Sequence, residues 1–292
     1  ASCSYHCVSH ELRPCNRTIF RGIFFKSTIF ARAASLCTMT FLRDLPRDRR
    51  CPGRGERVTM GAVLYIFARE PRLGEVKTRL ASSLGPAPTL RLYRAFLLDT
   101  AESMAELVQG RNGVAVRLAA DRRPRPWLES LGRRFSFPVE GQGGGDLGTR
   151  MERVLKRRSS QSGATVIIGS DSPDLPASRI VDALDALKRS PVALGPTTDG
   201  GYYLIAVRGQ PPPIFNLGDD WGGARVMAET SMRLEEAGVA FAVLEPWFDV
   251  DDLASLTDLL SRLESRPLSS FGGTARHTLE LVRQLRREGV LR

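Results

Sequence analysis

Five polar segments of this 292-residue sequence carry the residue types that chemistry on a phosphorylated substrate requires. The first, residues 68–80, contains Arg69, Lys77 and Arg79 together with a glycine and a threonine. Cations in a loop before a helix suit an anion such as a diphosphate, although a solvated basic loop has the same composition. The segment is neither a Walker A loop nor a Gly-x-Gly-x-x-Gly turn, so nucleotide hydrolysis and dinucleotide binding gain no support.

Two carboxylates, Asp171 and Asp174, stand three residues apart directly after the apolar run 164–168. Carboxylate oxygens are the ligands that Mg²⁺ and Mn²⁺ prefer, and such an ion would neutralise the charge of a departing diphosphate. Asp171, at the predicted strand tip, is the better ligand candidate. Asp174 fits a metal ligand and a cap of the following helix equally well.

Three later segments offer weaker signals of the same kind. Asp-Gly-Gly at 199–201 is typical of a hairpin turn, but the flanking tyrosines and Gly-Pro also suit a sugar or a base. Residues 248–253 alternate carboxylates before a helix, where they either complete a metal site or cap that helix. Glycines 143–145 lead to Asp146, a good N-cap residue, at a helix start whose backbone amides would meet an anion or a base.

The positions of cysteine and histidine exclude several other chemistries. All five cysteines precede residue 52, and His277 is the only histidine of residues 60–292. A thiolate nucleophile, a disulfide framework and a cysteine-based zinc site are therefore excluded from residues 60–292, and a histidine dyad or triad is disfavoured. Catalysis there must rest on carboxylates, lysine, arginine, hydroxyls and backbone amides.

The net charge of +10 is unevenly distributed along the chain. Residues 1–59 hold 11 Lys/Arg against 4 Asp/Glu, whereas residues 60–292 hold 31 against 28. A basic protein suggests nucleic acid or an anionic membrane as a partner. Because the larger part of the chain is nearly balanced and shows neither a groove-reading helix motif nor an apolar run of about 18 residues, we expect neither partner.

Residues 1–59 are rich in arginine and lack sustained periodicity, and three interpretations compete for them. We favour an over-extended gene start with the initiator at Met60, which implies a cytoplasmic protein. An organelle transit peptide is the second interpretation and implies import. The third is metal binding by the cysteines and histidines of residues 3–10, whose spacing matches no standard zinc finger. We expect a disordered leader or untranslated segment, followed by a single domain at 60–292.

Short apolar runs alternate with amphipathic segments throughout residues 60–292. The pattern predicts strands at 62–67, 113–120, 134–139, 164–168, 192–194, 202–207 and 239–244, and helices at 87–107, 146–155, 176–187, 223–237, 252–264 and 274–288. This alternation predicts an α/β fold, a three-layer α/β/α sandwich with a mainly parallel sheet. Ligands of such sheets bind beyond the carboxyl ends of the strands, where each polar segment falls.

The order of the polar segments resembles that of the nucleotide-diphospho-sugar transferase (GT-A) superfamily. Within it, the sequence is similar to the bacterial family of glycosyltransferase-like proteins called radical-SAM/selenodomain-associated transferase 1, or DUF2064. The resemblance covers about residues 60–265. The segments that carry it are FAREPRLGEVKTRLA at 67–81, GDLGTRM at 145–151, IIGSDSPDLP at 167–176, GPTTDGGYYLI at 195–205, WGGARV at 221–226 and DVDDLASL at 249–256.

The resemblance implies roles for residues of the first, third and last segments. Arg69, Lys77 and Arg79 would contact the nucleotide phosphates. Asp171 would bind a divalent metal ion, Mg²⁺ or Mn²⁺, and Asp251 would supply the second carboxylate.

Two further aspartates complete the candidate set. Asp146, within a resembling segment, is expected at the nucleotide. Asp199 is the residue we expect to contact the acceptor, and it is therefore the candidate catalytic residue. No general base is assigned.

The sequence departs from the resemblance at two places. Residues 252–255 read Asp-Leu-Ala-Ser where related nucleotidyltransferases have Thr-Pro-Glu-Asp, which leaves the choice between Asp249 and Asp251 open. Residues 221–223 read Trp-Gly-Gly where Trp-Gly-Thr or Trp-Gly-Ser is expected, which changes a local hydroxyl contact.

The resulting hypothesis is a metal-dependent glycosyltransferase that moves a sugar from a nucleotide-diphosphate donor to a small-molecule acceptor. The alternative is a nucleotidylyltransferase that joins a nucleoside triphosphate to a phosphorylated small molecule and releases pyrophosphate, since the same loop and carboxylates serve both reactions. The sequence leaves the base, the sugar, the acceptor and the oligomeric state open.

Overall fold

The apolar runs of the sequence form the strands of one central sheet. The computed structural model describes residues 61–158, 163–216, 221, 224–265 and 275–291, so the predictions for residues 1–59 lie outside the described residues. The strands are β1 (Ala62–Ala68), β2 (Val114–Ala120), β3 (Val139–Gly141), β4 (Ala164–Ile168), β5 (Val192–Pro196), β6 (Tyr202–Arg208) and β7 (Phe241–Val243).

Helices connect most of these strands and cover both faces of the sheet. They are α1 (Thr78–Leu84), α2 (Pro86–Gly110), α3 (Pro126–Phe135), α4 (Leu147–Lys156), α5 (Ala177–Ala186), α6 (Val226–Glu236), α7 (Leu253–Ser265) and α8 (Arg276–Arg287). None of the helices in the described part of the chain has both the length and the apolar character needed to cross a membrane.

The sheet is mainly parallel, as the sequence predicts, with one reversed strand. The strand order is β3-β2-β1-β4-β6-β5-β7. β6 pairs antiparallel with β4 and with β5, and the other neighbours pair in parallel. Ile66 of β1 lies opposite Ile168 of β4, so the polar segments that follow these strands begin side by side at one edge of the sheet.

Side chains alternate between the two faces of each strand, and each face has its own apolar core. Leu64 and Ile66 of β1 belong to the larger core, which α1, α2, α3, α5, α7 and α8 cover. Tyr65 and Phe67 belong to the smaller core, which α4 and α6 cover. The resulting three layers confirm the predicted α/β/α sandwich.

The predicted strand at 134–139 is wrong. Arg134 and Phe135 end α3, and the strand beyond them is β3, at Val139–Gly141. The helix was missed because it begins at Pro126, two residues after Pro124, although proline is well accommodated in a first helical turn. The first two N–H groups of this helix, those of Trp127 and Leu128, donate to the carboxylate of Glu70. Glu70 is distant in sequence, so a local pattern does not reveal this cap.

Candidate functional site

Two adjoining cavities open where the strands end. The larger, which we call the large cavity, measures about 580 Å³ and has the predicted Arg69, Lys77, Arg79, Asp171 and Asp251 in its lining. Apolar and aromatic side chains form much of the rest of its wall, among them Phe67, Val76, Tyr93, Leu147, Met151, Ile167, Ile168, Tyr202, Tyr203 and Ile205.

The second cavity, which we call the acidic cavity, measures about 240 Å³. It shares Arg79 and Asp251 with the large cavity, so the two spaces adjoin at these side chains. Its lining consists of Arg79, Thr198, Asp199, Phe248, Asp249, Asp251, Asp252, Ser255, Asp258 and Arg262. Five of these ten residues are aspartates, which gives the acidic cavity a charge opposite to that of a phosphate-binding site.

Lys77 joins the two aspartates that the sequence proposes as metal ligands. It lies at the N-cap of α1, and its Nζ is 2.7 Å from Asp171 Oδ1 and 2.5 Å from Asp251 Oδ1. Burial alone would lower the pKa of the ammonium, but the two carboxylates outweigh it, and the pKa of Lys77 is raised. The lysine that the sequence assigns to phosphate therefore lies, fully charged, between the candidate metal-binding carboxylates.

A backbone contact fixes the relative position of those two carboxylates. The N–H of Val250 donates to the carbonyl oxygen of Asp171 at 2.9 Å. The loop after β4 is thereby bonded to the segment that carries Asp249 and Asp251.

Three carboxylates form a cluster that could hold a metal ion. One carboxylate oxygen each from Asp199, Asp249 and Asp251 lie within 4.8 Å of one another, and we call these residues the acidic triad. Burial raises the pKa of Asp249 to about 6, and the negative charges of Asp199 and Asp251 add to that shift. A set of oxygen ligands with mutual repulsion fits a hard divalent cation such as Mg²⁺ or Mn²⁺.

The structure therefore distributes the predicted aspartates differently from the sequence interpretation. Asp199, expected at the acceptor, lies beside Asp251, expected at the metal. Both Asp249 and Asp251 reach the cluster, so the sequence's choice between them does not arise. Asp171 is outside the acidic triad and contacts it through Lys77.

The hairpin loop that carries Asp199 has a fixed position against α6. Gly200 has a φ of +94°, and a Cβ at this position would lie 1.9 Å from the carbonyl oxygen of Ala224. The N–H of Met227 donates to the Gly200 carbonyl at 2.9 Å. Glycine is thus required both by the backbone conformation and by the close approach of another segment.

Arg69 lines the large cavity through a loop that Tyr93 of α2 holds in place. The N–H of Arg69 donates to the Tyr93 hydroxyl at 2.9 Å, and that hydroxyl lies 3.1 Å from Ser170 Oγ. Burial, and secondarily the charge of Asp171, raise the pKa of the Tyr93 phenol, so it remains neutral. The helical spacing of Tyr93 predicted its burial but gave no signal of this role.

Gln142 is a second residue of the large cavity that sequence reasoning missed. Its buried Nε2 donates to the carbonyl oxygens of Ala119 at 2.7 Å and Ala68 at 3.3 Å, which fixes the side-chain amide beside the ends of β1 and β2. Its position directly after β3 indicates a residue at the ligand-binding end of the sheet. Because the third strand was predicted at 134–139 instead, Gln142 was not considered for the site.

Two predicted or considered aspartates lie outside both cavities. Asp146 is exposed and caps α4, where its carboxylate accepts the Thr149 N–H at 2.7 Å and its pKa is lowered by that bond. Its binding role stays a prediction. Asp174 is fully buried, accepts from Trp247 Nε1 at 3.2 Å, and has its Oδ2 3.7 Å from Arg262 Nη2.

Comparisons with known proteins agree with this architecture. The sequence model of the family described as "Uncharacterized protein conserved in bacteria (DUF2064)" matches residues 104–222. A crystal structure from Desulfovibrio desulfuricans G20, provisionally named a nucleotide-diphospho-sugar transferase, is similar with a TM-score of 0.65 and 27% identity. That alignment covers 79% of this chain and 96% of that one.

More distant similarities are found among nucleotidyl-transfer enzymes. A 4-diphosphocytidyl-2C-methyl-D-erythritol synthase from Anaerococcus prevotii DSM 20548 aligns at a TM-score of 0.46 and 9% identity, over 70% of this chain and 99% of that one. A cytidylyltransferase from Leptospira borgpetersenii aligns at 0.44 and 12% identity, over 80% and 97%. The search of curated proteins gave no match.

The family match and the Desulfovibrio structure confirm the resemblance to DUF2064 and the predicted fold class. They also confirm the prediction that this protein is an enzyme of the transferase class. Within that class it is a nucleotide-sugar-related transferase.

Proposed function

We propose that this protein is a metal-dependent glycosyltransferase that moves a sugar from a nucleotide-diphosphate donor to a hydroxyl group of a small acceptor. The observation that carries the proposal is the contrast between two cavities that adjoin at Arg79 and Asp251: the large cavity has an apolar wall with several cations, whereas the acidic cavity is rich in aspartate. Magnesium or manganese as the ion, the cytoplasm as the compartment and residues 60–292 as one domain are parts of the proposal that rest on the sequence alone.

The large cavity has the properties of a donor site. Its volume of about 580 Å³ lies within the usual range for small-molecule sites, and its apolar wall carries a few charged groups that would fix orientation. Arg69, Arg79 and Arg150 supply permanent positive charge for a diphosphate, and guanidinium groups bind phosphate in a bidentate manner. The likeness to the Desulfovibrio protein supports a nucleotide sugar as the donor.

The acidic triad would hold the divalent ion, because its three carboxylates approach one another and lie at the junction of the cavities. A divalent ion bound there would supply charge neutralisation for the departing diphosphate. Asp199 is the proposed catalytic residue: it lines the acidic cavity, where its carboxylate can accept a hydrogen bond from the reacting hydroxyl.

The acidic cavity favours a hydroxyl acceptor over a phosphorylated one. Its five aspartates face two arginines, and the Arg262 guanidinium is already stacked 4.2 Å from the Phe248 ring centroid. A phosphate on the acceptor would meet like charges, whereas a hydroxyl would find hydrogen-bond acceptors. This contrast supports glycosyl transfer over nucleotidyl transfer to a phosphorylated molecule.

The test uses the full chain with panels of nucleotide sugars and nucleoside triphosphates, each with Mg²⁺ or Mn²⁺. Acceptors are offered as matched pairs, such as glycerol with glycerol 3-phosphate and glucose with glucose 6-phosphate. Nucleoside diphosphate release from a sugar donor with the unphosphorylated member is the expected result, and Asp199→Asn is expected to abolish it. Pyrophosphate release from a triphosphate with the phosphorylated member would instead establish the alternative.

A further inference from the structure

Lys77 stands where a cation between Asp171 and Asp251 would stand. Its Nζ is within hydrogen-bond distance of one oxygen of each carboxylate, and its side chain is only 6% exposed, against 46% and 40% for the two aspartates. We propose that the Lys77 ammonium and a divalent ion at the acidic triad compete for the carboxylate of Asp251, and that a nucleotide diphosphate relieves this competition by binding the ammonium through its phosphates. The inference rests on the proposed function, since it concerns the same site.

The competition follows from the charges at the site. Asp251 belongs to the acidic triad and also holds Lys77, so one carboxylate is shared between the two candidate cation positions. Two positive charges that share one carboxylate repel each other. A divalent ion at the acidic triad therefore weakens the ion pair between Lys77 and Asp251. Conversely, that ion pair weakens the binding of the ion to the acidic triad.

The large cavity offers the Lys77 ammonium a second partner, the phosphates of a bound donor. Lys77 and Arg79 both line the large cavity, where the proposed donor diphosphate would bind. Lys77 also holds a left-handed backbone conformation, with φ at 47°, which is unfavourable for a residue other than glycine. The ion pairs with Asp171 and Asp251 hold that conformation in place, and a phosphate partner would replace them.

The consequence is that metal and nucleotide bind cooperatively. A nucleotide whose phosphates bind the Lys77 ammonium raises the affinity of the acidic triad for the ion. By thermodynamic reciprocity, the ion raises the affinity of the protein for the nucleotide by the same factor. Typical couplings of this kind change affinity about 5- to 150-fold. Lys77 is thus a residue that couples the binding of the metal ion to the binding of the nucleotide, in addition to contacting phosphate.

The first experiment measures Mn²⁺ binding by electron paramagnetic resonance without nucleotide. Lys77→Met keeps much of the side-chain volume and removes the competing charge, so we expect Mn²⁺ to bind about 10-fold more tightly than to the wild type. Arg79→Met is the matched control, because it removes one positive charge two residues away, from the lining of the same cavity, without removing the ion pair between Lys77 and Asp251. Equal gains in the two variants would overturn the proposal.

The second experiment uses the wild-type protein, so it does not depend on folding of a variant. The chain has four lysines, and the exposed Lys156 and Lys188 serve as internal references for Lys77. Acetylation by an N-hydroxysuccinimide ester, followed by mass spectrometry, should modify Lys77 far more slowly than the references. Saturating Mn²⁺ should then raise the rate at Lys77 several-fold and leave the references unchanged; an unchanged Lys77 rate contradicts the proposal.

These readouts separate failure of the inference from failure of the proposed function. Tight Mn²⁺ binding by Lys77→Met in a protein that turns over no nucleotide sugar would support the competition and overturn glycosyl transfer. Metal-dependent sugar transfer with no effect of Mn²⁺ on Lys77 labelling would do the reverse.

Discussion

Asp99 of α2 accepts hydrogen bonds from two backbone N–H groups in the first turn of α8, those of His277 at 2.8 Å and Thr278 at 2.9 Å. The Thr278 hydroxyl donates to the same carboxylate at 2.6 Å. Because α8 has no side-chain cap of its own, this distant aspartate is the cap that fixes the helix to the body of the protein.

Replacing that cap is expected to loosen the C-terminal helix. Asp99→Ala removes three hydrogen bonds at a buried position and should lower the free energy of unfolding by about 2–3 kcal/mol. Arg91→Ala is the control, since it removes an exposed ion pair between α2 and Glu288, the residue that follows α8, and should cost less than about 1 kcal/mol. Denaturant unfolding measures both values, and equal losses would refute the assignment of the cap.

Gly200 provides a test of the loop that positions Asp199. Gly200→Ala places a Cβ against the backbone of Ala224, so we expect it to destabilise the protein by more than about 3 kcal/mol or to displace the loop. Gly209→Ala is the matched control, because Gly209 also has a positive φ, +83°, but its Cβ would meet nothing within 4 Å. That variant should lose only about 1 kcal/mol in thermal or denaturant unfolding. Similar losses at the two positions would show that the packing against Ala224 does not matter.

The raised pKa of Asp249 predicts how the free energy of unfolding depends on pH. Its pKa is raised from 3.8 to about 6, so the folded protein binds this proton more tightly than the unfolded chain does. The stability that the proton contributes is therefore present below about pH 4 and is lost as pH rises through about 6.

The Asp249→Asn variant removes that titration. With EDTA present, its Tm should exceed that of the wild type at pH 7, and the difference should shrink as the pH is lowered towards 4. Glu236→Gln, at an exposed position on α6, controls for the change in net charge. Wild-type and Asp249→Asn Tm profiles that run parallel over this pH range would contradict the prediction.

The charge of the acidic cavity predicts how acceptor preference can be altered. Asp258→Lys changes the lining by two charge units, so KM for a phosphorylated acceptor should fall by a few-fold while KM for its unphosphorylated partner stays within about two-fold. Glu236→Lys makes the same change of charge outside both cavities and should leave both KM values unchanged. Steady-state kinetics with the matched acceptor pairs decides the point; if both lysine variants behave alike, the acidic cavity is not the acceptor site.

The sheet was the part of the fold most accessible from sequence. Ala164–Ile168 was predicted with its observed bounds, because five buried apolar residues between turn signals have few alternatives. By contrast α3 was missed, since its N-terminal cap is the side chain of Glu70, which a local pattern does not contain.

For the site, residue types located the correct edge of the sheet but not the partners within it. Arg69, Lys77, Arg79, Asp171 and Asp251 were predicted together and line one cavity. That Lys77 bonds to two aspartates could not be predicted, because the sequence interpretation gave the lysine to phosphate and the aspartates to metal.

The reversed direction of β6 has a further consequence for how this site can change. Each other polar segment at the ligand edge leads into a helix, so altering its length would shift an element of the core. The hairpin loop 197–201 joins two adjacent strands directly, and only Gly200 within it is held against α6. Thr198, an exposed residue of this loop that lines the acidic cavity and belongs to neither the acidic triad nor the contact with α6, is consequently the place where substitution can remodel the acceptor side while the scaffold is kept.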